Sequence, residues 1–286
     1  MNRFVMPALA MACMVATSAP ALADASSSAT FGNLVITLTD LDASDGITPS
    51  FTFNVNGPSF IDSRAEGFGD VAESYQFQNY APLQGALFTG ETHSAWSSSA
   101  GSIMTANNVA GFSAMSAEGA AHSGLAGYGT YSAASIGATP ENTFTLSANT
   151  AITFSVLADM RARTSMGYNL EADMAEYATA HALLNVGGMV DGSFVNDAQE
   201  RFITAGFDVL DDNTTIGVSN SWSGLLSASF ANTGTTEASG FLQTFVIVDG
   251  YSSVWDGVTP VPEPATYAML LGGLALLGAA GRRRRA

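Results

Sequence analysis

The stretch FTFNV at residues 51–55 places phenylalanine and valine at alternate positions, with threonine and asparagine between them. A period of two puts the apolar side chains on one face of an extended strand and the polar side chains on the other. A second stretch, LVITLT at residues 34–39, is rich in the β-branched residues that strands favour. Together the two stretches predict half-buried β-strands near the start of the main domain of the chain.

Similar short runs of apolar residues recur along the chain, separated by segments rich in Asp, Ser, Gly and Asn, which favour turns. Many short strands at turn spacing predict an all-β fold, a β-sandwich of jelly-roll character. A β-helix is the alternative, but no fixed repeat period supports it. Three hairpins are predicted: residues 34–39 and 51–55 about the loop 40–49, residues 144–146 and 152–157 about 147–150, and residues 225–230 and 241–248 about 231–234.

Two segments fit more than one structure. Residues 111–137 are poor in large side chains, which suits either a flexible loop or strands of small residues. In residues 170–186 the large side chains recur at helical spacing, whereas the alanines at 178, 180 and 182 alternate as in a strand. Periodicity alone favours a helix there.

The charge of the chain excludes several classes of function. The formal net charge is −16, and there is no lysine. An acidic surface repels phosphate backbones, so nucleic-acid binding is not expected, and it suits an exported protein that stays soluble or collects cations. Without lysine there is no P-loop, no Schiff-base lysine and no Ser-x-x-Lys catalytic pair. The cations of the body are four: Arg64, Arg161, Arg163 and Arg201.

The N-terminal residues have the three parts of a secretory signal peptide. Arg3 gives a positive start, residues 4–15 are apolar, and Ala21 and Ala23 form a small-x-small cleavage site. Residues 1–23 are therefore predicted to be removed by signal peptidase, so that the mature chain begins at Asp24. The single cysteine, Cys13, lies in this segment without the leucine usual in a lipoprotein signal. The mature chain is thus expected to have no disulfide, thiol nucleophile or cysteine-ligated metal.

The C-terminal residues 260–286 also have three parts, which follow a predicted body at residues 24–259. Val261, Pro262, Glu263 and Pro264 form the first part. Because each proline lacks a backbone donor and fixes φ, this part is extended, the form that a protease binds. The apolar run 265–281 is close to the lower limit of the roughly 17–25 residues of a transmembrane helix. The closing cluster holds the terminus on the cytoplasmic side; it consists of Arg282, Arg283, Arg284 and Arg285.

This tail resembles the PEP-CTERM sorting signal of Gram-negative bacteria, in which a membrane-embedded cysteine protease, an exosortase, is thought to recognise Pro-Glu-Pro. A plain tail anchor would account for the apolar run and the arginines but not for that motif. Such tails are also catalogued as ice-binding protein C-terminal domains, a name that describes the tail and not an activity. The layout of exported proteins with this signal favours a strand at residues 170–186.

The resemblance implies two processing partners, signal peptidase and an exosortase-like protease. It also implies transient anchoring in the inner membrane, followed by a destination in the cell envelope or the exopolysaccharide matrix. The body is then expected to be a structural or binding domain and not an enzyme. A carbohydrate-binding module is the alternative, and a cryptic hydrolase is the least favoured of the three hypotheses.

One acidic turn is a candidate calcium site. Asp40, Asp42 and Asp45 precede Gly46, and calcium prefers oxygen ligands from such loops. The spacing departs from an EF-hand loop by one residue and no glutamate closes it, so the alternative is a turn whose aspartates cap backbone amides. Asp211, Asp212 and Asn213 form a similar but weaker candidate. No other cofactor is expected.

Catalytic motifs are not found in the sequence. His93, His122 and His181 are isolated, and there is neither a His-Glu-x-x-His run nor a Gly-x-Ser-x-Gly elbow. Glu171 and Asp173 are close in sequence, whereas glycosidase carboxylate pairs come from distant parts of a chain.

The aromatic residues offer a possible platform for stacking sugars on a sheet face. Trp96 and Trp222 lie between serines, which favours exposure and makes them the candidate glycan contacts. The alternative is that most aromatic side chains fill the core, since they bury large areas. The remaining candidates are Trp255, Tyr75, Tyr80, Tyr128, Tyr131 and Tyr251.

Overall fold

A computed structural model describes residues 23–55, 58–67, 70–79, 87–105, 112–123, 127–166, 174–212 and 215–254. These residues form strands, turns and short connections, and none of them is helical. In this part of the chain no helix has the length and apolar character needed to cross a membrane. The signal segment up to residue 22 and the predicted sorting tail and transmembrane helix lie outside the described residues.

The strands are numbered in chain order. The first nine are β1 (Ala23–Phe31), β2 (Val35–Asp40), β3 (Phe51–Val55), β4 (Pro58–Gly67), β5 (Asp70–Asn79), β6 (Leu87–His93), β7 (Ser97–Thr105), β8 (Phe112–Ser123) and β9 (Gly127–Ala138). The next eight are β10 (Thr143–Leu146), β11 (Thr150–Thr164), β12 (Met174–Val190), β13 (Ser193–Ala205), β14 (Phe207–Val209), β15 (Thr215–Gly217), β16 (Ser219–Asn232) and β17 (Ala238–Val254).

Two antiparallel sheets pack face to face. The first has the order β16-β11-β1-β8-β7-β6, and β2 continues β1 along the same side of β11. The second has the order β13-β12-β17-β9-β4-β5, and β10 and β3 continue β9 and β4 in the same way. The strands β14 and β15 form a separate ribbon. This architecture confirms the predicted all-β sandwich.

The three predicted hairpins are wrong, because the two strands of each pair lie in different sheets. The strand β2 belongs to the first sheet and β3 to the second, and the same division separates β11 from β10 and β16 from β17. Each turn is therefore an arch that carries the chain from one sheet to the other. Alternation in a sequence shows which face of a strand is buried, but it is the same whether the next strand pairs beside it or packs opposite it.

The three arches lie side by side at one end of the sandwich, which we call the arch end. The amide of Leu41 donates to the carbonyl of Asn149 over 2.8 Å, and the amide of Ser147 donates to Ser50 over 3.0 Å. The amide of Asn149 donates in turn to the carbonyl of Gly234 over 3.2 Å. These backbone bonds join connections that are far apart in the sequence.

A buried asparagine side chain links two of the arches. Nδ2 of Asn232 donates to the carbonyls of Leu146, Ser147 and Thr236 over 3.3, 3.0 and 2.7 Å. Its Oδ1 accepts from the amide of Gly234 over 3.1 Å. Since Asn232 is only 1% exposed, this side chain supplies hydrogen bonds to backbone groups of the arches that water does not reach.

The core differs in composition along the sandwich. Near the arch end, Phe144 packs against Phe53, Phe154 and Phe230, with ring centroids 5.8 to 6.2 Å apart. Towards the other end the inward positions are mostly alanines, and Tyr131 fills the space beside Gly119 and Gly250. Its hydroxyl lies 2.7 Å from Oγ of Ser27 on the opposite sheet. Burial strongly raises the pKa of Tyr131.

The two ambiguous segments are strands. Residues 174–190 form β12, which confirms the interpretation of residues 170–186 as a strand over its described part. The helical spacing was misleading because Tyr177 and His181, four residues apart, also share one face of a strand. Most of residues 111–137 lie in β8 and β9, whose small side chains include Gly119 under the ring of Tyr131.

Candidate functional site

The outer face of the first sheet contains an open groove of about 400 Å³. The floor of the groove is formed by three neighbouring strands, β1, β8 and β7, which present mostly small side chains outward. These are Ser26, Ser28, Ala120, Ser98 and Ala100. The floor is flanked by β11 on one side and by β6 on the other, where the outward side chains are longer.

The two walls of the groove differ in charge. Arg161 and Arg163 project from β11, and Glu91 and His93 project from β6. Glu118 stands on β8, between the walls. The distance between β11 and β6 is four strand spacings, or roughly 19 Å across the sheet.

The register fixes the closest approach of opposite charges across the floor. Arg161 is paired with Ser28, and Ser28 is paired with Glu118. Their backbones are therefore two strand spacings, roughly 10 Å, apart. The space above Ser28 therefore lies between the guanidinium group of Arg161 and the carboxylate group of Glu118.

The groove keeps part of its charge available to a ligand. Nε of Arg161 donates to Asp159 over 3.2 Å, and Nε2 of His93 lies 2.7 Å from Glu91. Among the described residues, neither Arg163 nor Glu118 takes part in an ion pair within 4.0 Å. Two of the four cations of the body thus line one groove, a feature that the sequence reasoning missed.

The outer face of the second sheet carries a patch of rings, here called the aromatic face, made of Tyr177, Tyr251, His181, Phe202 and Phe245. Tyr177 and Tyr251 face each other with centroids 5.8 Å apart. His181 lies between Phe245, at 4.8 Å, and Phe202, at 5.7 Å, in edge-on contacts. Phe202 is 57% exposed. Large apolar groups on a sheet face at this exposure indicate a contact surface.

The two predicted glycan contacts, Trp96 and Trp222, lie neither in the groove nor on the aromatic face. Trp96 follows β6 in the loop to β7, and its side chain packs against Gly67 of the second sheet while its backbone carbonyl lies close to Gly129. Trp222 lies on β16 with the guanidinium of Arg201 5.2 Å from its ring centroid. Both rings are half-buried. Since β6 and β16 are opposite edges of the first sheet, the two rings do not form one platform.

The predicted tyrosines have different environments. Tyr131 is buried in the core, whereas Tyr251 lies on the aromatic face. The hydroxyl of Tyr128 donates to Glu66 over 3.2 Å, and this bond raises the pKa of Tyr128. Trp255, Tyr80 and the side chain of Tyr75 lie outside the described part of the chain.

The aspartates of the candidate calcium turn bind backbone amides. Oδ1 of Asp40 accepts from the amide of Asp42 over 2.9 Å, and Oδ1 of Asp45 accepts from Ile47 over 2.7 Å. Oδ1 of Asp42 accepts from both the hydroxyl and the amide of Ser44, over 2.6 and 3.0 Å. These two bonds, the hydroxyl first, lower the pKa of Asp42.

Within the described ranges, no group of three or more His, Cys, Asp and Glu side chains is placed to hold a metal ion. The geometry of this turn is that of amide-capping aspartates, and the calcium hypothesis stays a prediction. The weaker candidates Asp211 and Asp212 are exposed in the turn between β14 and β15, and Asn213 lies outside the described residues.

The three histidines lie on three different strands, β6, β8 and β12, and each is beside a different carboxylate. His93 contacts Glu91, His122 contacts Asp24 at 3.0 Å, and His181 contacts Glu200 at 2.6 Å. Glu171 and Asp173 lie outside the described residues.

A carboxyl group that the sequence reasoning missed is buried at the end of the sandwich opposite the arches. Oε2 of Glu176 accepts from the amides of Ser165 and Met166 over 2.6 and 2.7 Å, and Oε1 accepts from the hydroxyl of Ser165 over 3.0 Å. Burial raises the pKa of Glu176, and these bonds oppose the rise. Because this carboxyl group accepts hydrogen bonds from two backbone amides and one hydroxyl of residues 165 and 166, its role is structural.

Comparison with known proteins identifies the tail. Residues 260–285 match the family model described as the PEP-CTERM protein-sorting motif. The predicted sorting signal is confirmed, and the motif implies export, a membrane-anchored precursor and processing by an exosortase. No curated protein matches the chain.

One solved structure with some similarity is titled "Structural basis for the promiscuous specificity of the carbohydrate-binding modules from the beta-sandwich super family". The similarity covers 74% of this chain and 98% of that chain, at 8% identity and a TM-score of 0.13. At this TM-score the similarity carries no argument about fold or ligand.

Proposed function

We propose that this chain, which carries a PEP-CTERM sorting motif, is an exported and exosortase-processed protein of the cell envelope or exopolysaccharide matrix. Its β-sandwich acts there as a structural or binding domain and not as an enzyme. The observation that carries the proposal is the motif at residues 260–285. A signal read by a membrane protease has a use only in a chain that crosses the inner membrane and is then released or transferred.

The proposal is tested by separating anchoring from recognition. Replacement of Pro262, Glu263 and Pro264 by alanine keeps the apolar run and the arginines, which are sufficient for insertion. We expect this variant to remain at the membrane as a heavier, uncut precursor, as measured by fractionation and intact mass. The matched control is Pro260→Ala, which removes another proline of the tail but keeps Pro262-Glu263-Pro264, and it should mature normally. Release of the triple variant at the parental mass would contradict the proposal.

A second candidate function is carbohydrate binding, and the aromatic face is the observation that favours it. Sugars present apolar C–H faces that stack on aromatic rings, and a flat sheet holds several rings in one plane. The pair Tyr177 and Tyr251 and the exposed ring of Phe202 are suited to such stacking.

Retention on insoluble polysaccharide tests this candidate. Tyr251→Ala and Phe202→Ala should each reduce retention, because each removes a stacking ring. The control is Leu225→Ala, which removes an exposed apolar side chain from the other sheet and should have no effect. If the aromatic variants keep full retention, or change only the oligomeric state in gel filtration, the face is not a sugar platform.

A further inference from the structure

We infer that the groove on the outer face of the first sheet binds an acidic saccharide, a sugar unit that carries a carboxylate. This site lies on the opposite sheet from the aromatic face and is independent of it. The inference rests on the arrangement of charge in the groove: two arginines on one wall, a glutamate across the floor, and only small side chains between them.

The arginine wall suits a carboxylate. A guanidinium binds a carboxylate through two parallel N–H···O bonds, which fixes orientation as well as charge. Arg163 takes part in no ion pair among the described residues. Arg161 contacts Asp159 through its Nε over 3.2 Å, so its two terminal nitrogens are not used in that bond. Both side chains leave the same face of β11, two residues apart.

The rest of the groove suits hydroxyl groups. Glu118 offers acceptor oxygens, and Ser26 and Ser28 on the floor offer hydroxyls that both donate and accept. The roughly 10 Å between the backbones of Arg161 and Glu118 leaves room for one sugar ring above Ser28. A ring held there would direct its carboxylate to the arginines and its hydroxyls to Glu118.

The acidity of the whole protein does not oppose this arrangement at close range. The net charge of −16 repels an anion at long range, but at physiological ionic strength exposed charges are screened beyond about 8 Å. Contacts inside the groove therefore decide binding. A neutral sugar would leave Arg163 without a counter-charge, so the arginine wall favours the acidic sugar over its neutral analogue.

Calorimetric titration of the full exported chain with a galacturonic acid trimer tests the inference. The methyl ester of the same trimer is the matched ligand, since it keeps the rings and hydroxyls and removes the negative charge. We expect the acid to bind on the order of tenfold or more tightly than the ester, with weaker binding at high salt. Arg163→Gln and Arg161→Gln should each weaken binding of the acid by about the same factor.

The matched control variant is Arg64→Gln. It removes one positive charge from the outer face of the second sheet, where Arg64 pairs with Glu66 and Glu73, and should leave binding unchanged. Equal affinity for acid and ester, an equal loss in the control variant, or equal binding of a sulfated neutral trimer would each overturn a carboxylate-specific site. None of these results would alter the processing of the tail, so they are distinguishable from failure of the proposed function.

Discussion

Replacement of Asn232 should destabilise the sandwich more than any exposed polar change, because this side chain links two arches. Asn232→Ala removes an NH2 group whose two hydrogens are shared among three carbonyls, and it also removes one accepted bond, at a position that water does not reach. At about 1 kcal/mol for each bond, with the 3.3 Å bond to Leu146 counting least, the loss is about 3 kcal/mol. A domain of 150–250 residues loses roughly 2–4 °C per kcal/mol, which gives a fall in Tm of roughly 6–12 °C.

The isosteric change Asn232→Asp separates hydrogen bonding from packing. It keeps the shape and the acceptor for Gly234 but directs a carboxylate oxygen at three carbonyl oxygens in a buried site. We expect a loss at neutral pH at least as large as that of the alanine variant. Because burial raises the pKa of such a carboxyl group, its protonated form should recover part of the stability as the pH falls.

Thermal and urea unfolding of the full chain measure both effects. The control is Asn220→Ala, an exposed residue on the same strand whose side chain makes one 3.3 Å bond to the carbonyl of Thr204, and it should cost less than about 0.5 kcal/mol. If both Asn232 variants melt within about 2 °C of the parent, which is less than or near 1 kcal/mol for this size, the arches do not depend on this side chain and the reasoning is refuted.

Three further predictions concern the ends and the acidic groups of the body. Intact mass of the exported protein should show a first residue of Asp24, and a retained apolar segment at residues 4–15 would contradict the signal peptide. If the turn at residues 40–46 binds calcium, melting curves with calcium and with chelator should differ, and Asp42→Ala should abolish the difference; identical curves would leave only a turn. Since the folded pKa of Glu176 is raised, its contribution to stability is present below the unfolded value of about 4.3 and is lost as the pH rises through the folded value. The decline in Tm from about pH 4 to about pH 7 should therefore be smaller in Glu176→Gln, and an unchanged slope would exclude this group as its source.

The sequence predicted the strands better than it predicted their partners. The alternation in FTFNV and ITFSVL showed half-buried strands, which the structure has at β3 and β11. The loops between such strands predict hairpins, yet the three loops at the arch end join strands of different sheets. The two-residue turn at Asp191 and Gly192, with φ of 49° and 79°, does join paired neighbours, β12 and β13. Both residues have the positive φ that tight hairpin turns require, and Asp-Gly is the sequence signal for it. Longer loops do not require positive φ at fixed positions, so their sequences do not show whether they form a hairpin or an arch.

The candidate sites could be predicted only in part. The sorting tail was evident because its physical parts are contiguous in the sequence. The groove was not, since Arg161 and Glu118 become neighbours across Ser28 only when β11, β1 and β8 are placed side by side. A sign was available in the sequence: two of the four cations of the body, at positions 161 and 163, share one face of any strand.

The first and last described strands meet at the same end of the sandwich, opposite the arches. Ala23 pairs with Ser123, whose hydroxyl lies 2.9 Å from that of Ser252 near the end of β17. Cleavage after Ala23 would therefore remove one residue from β1 and leave its pairing from Asp24 onward intact.

The predicted cleavage would also change the charge beside Glu176. The amide nitrogen of Asp24 donates to Oγ of Ser165 over 2.8 Å, and that hydroxyl donates to Oε1 of Glu176. In the mature chain this nitrogen becomes an α-ammonium group, and a positive charge near a buried carboxylate favours its ionised form. We therefore expect the mature chain to lose less stability between about pH 4 and about pH 7 than a chain that retains its signal segment. Unfolding of both forms over this pH range measures the difference, and parallel curves would show that the new terminus does not reach Glu176.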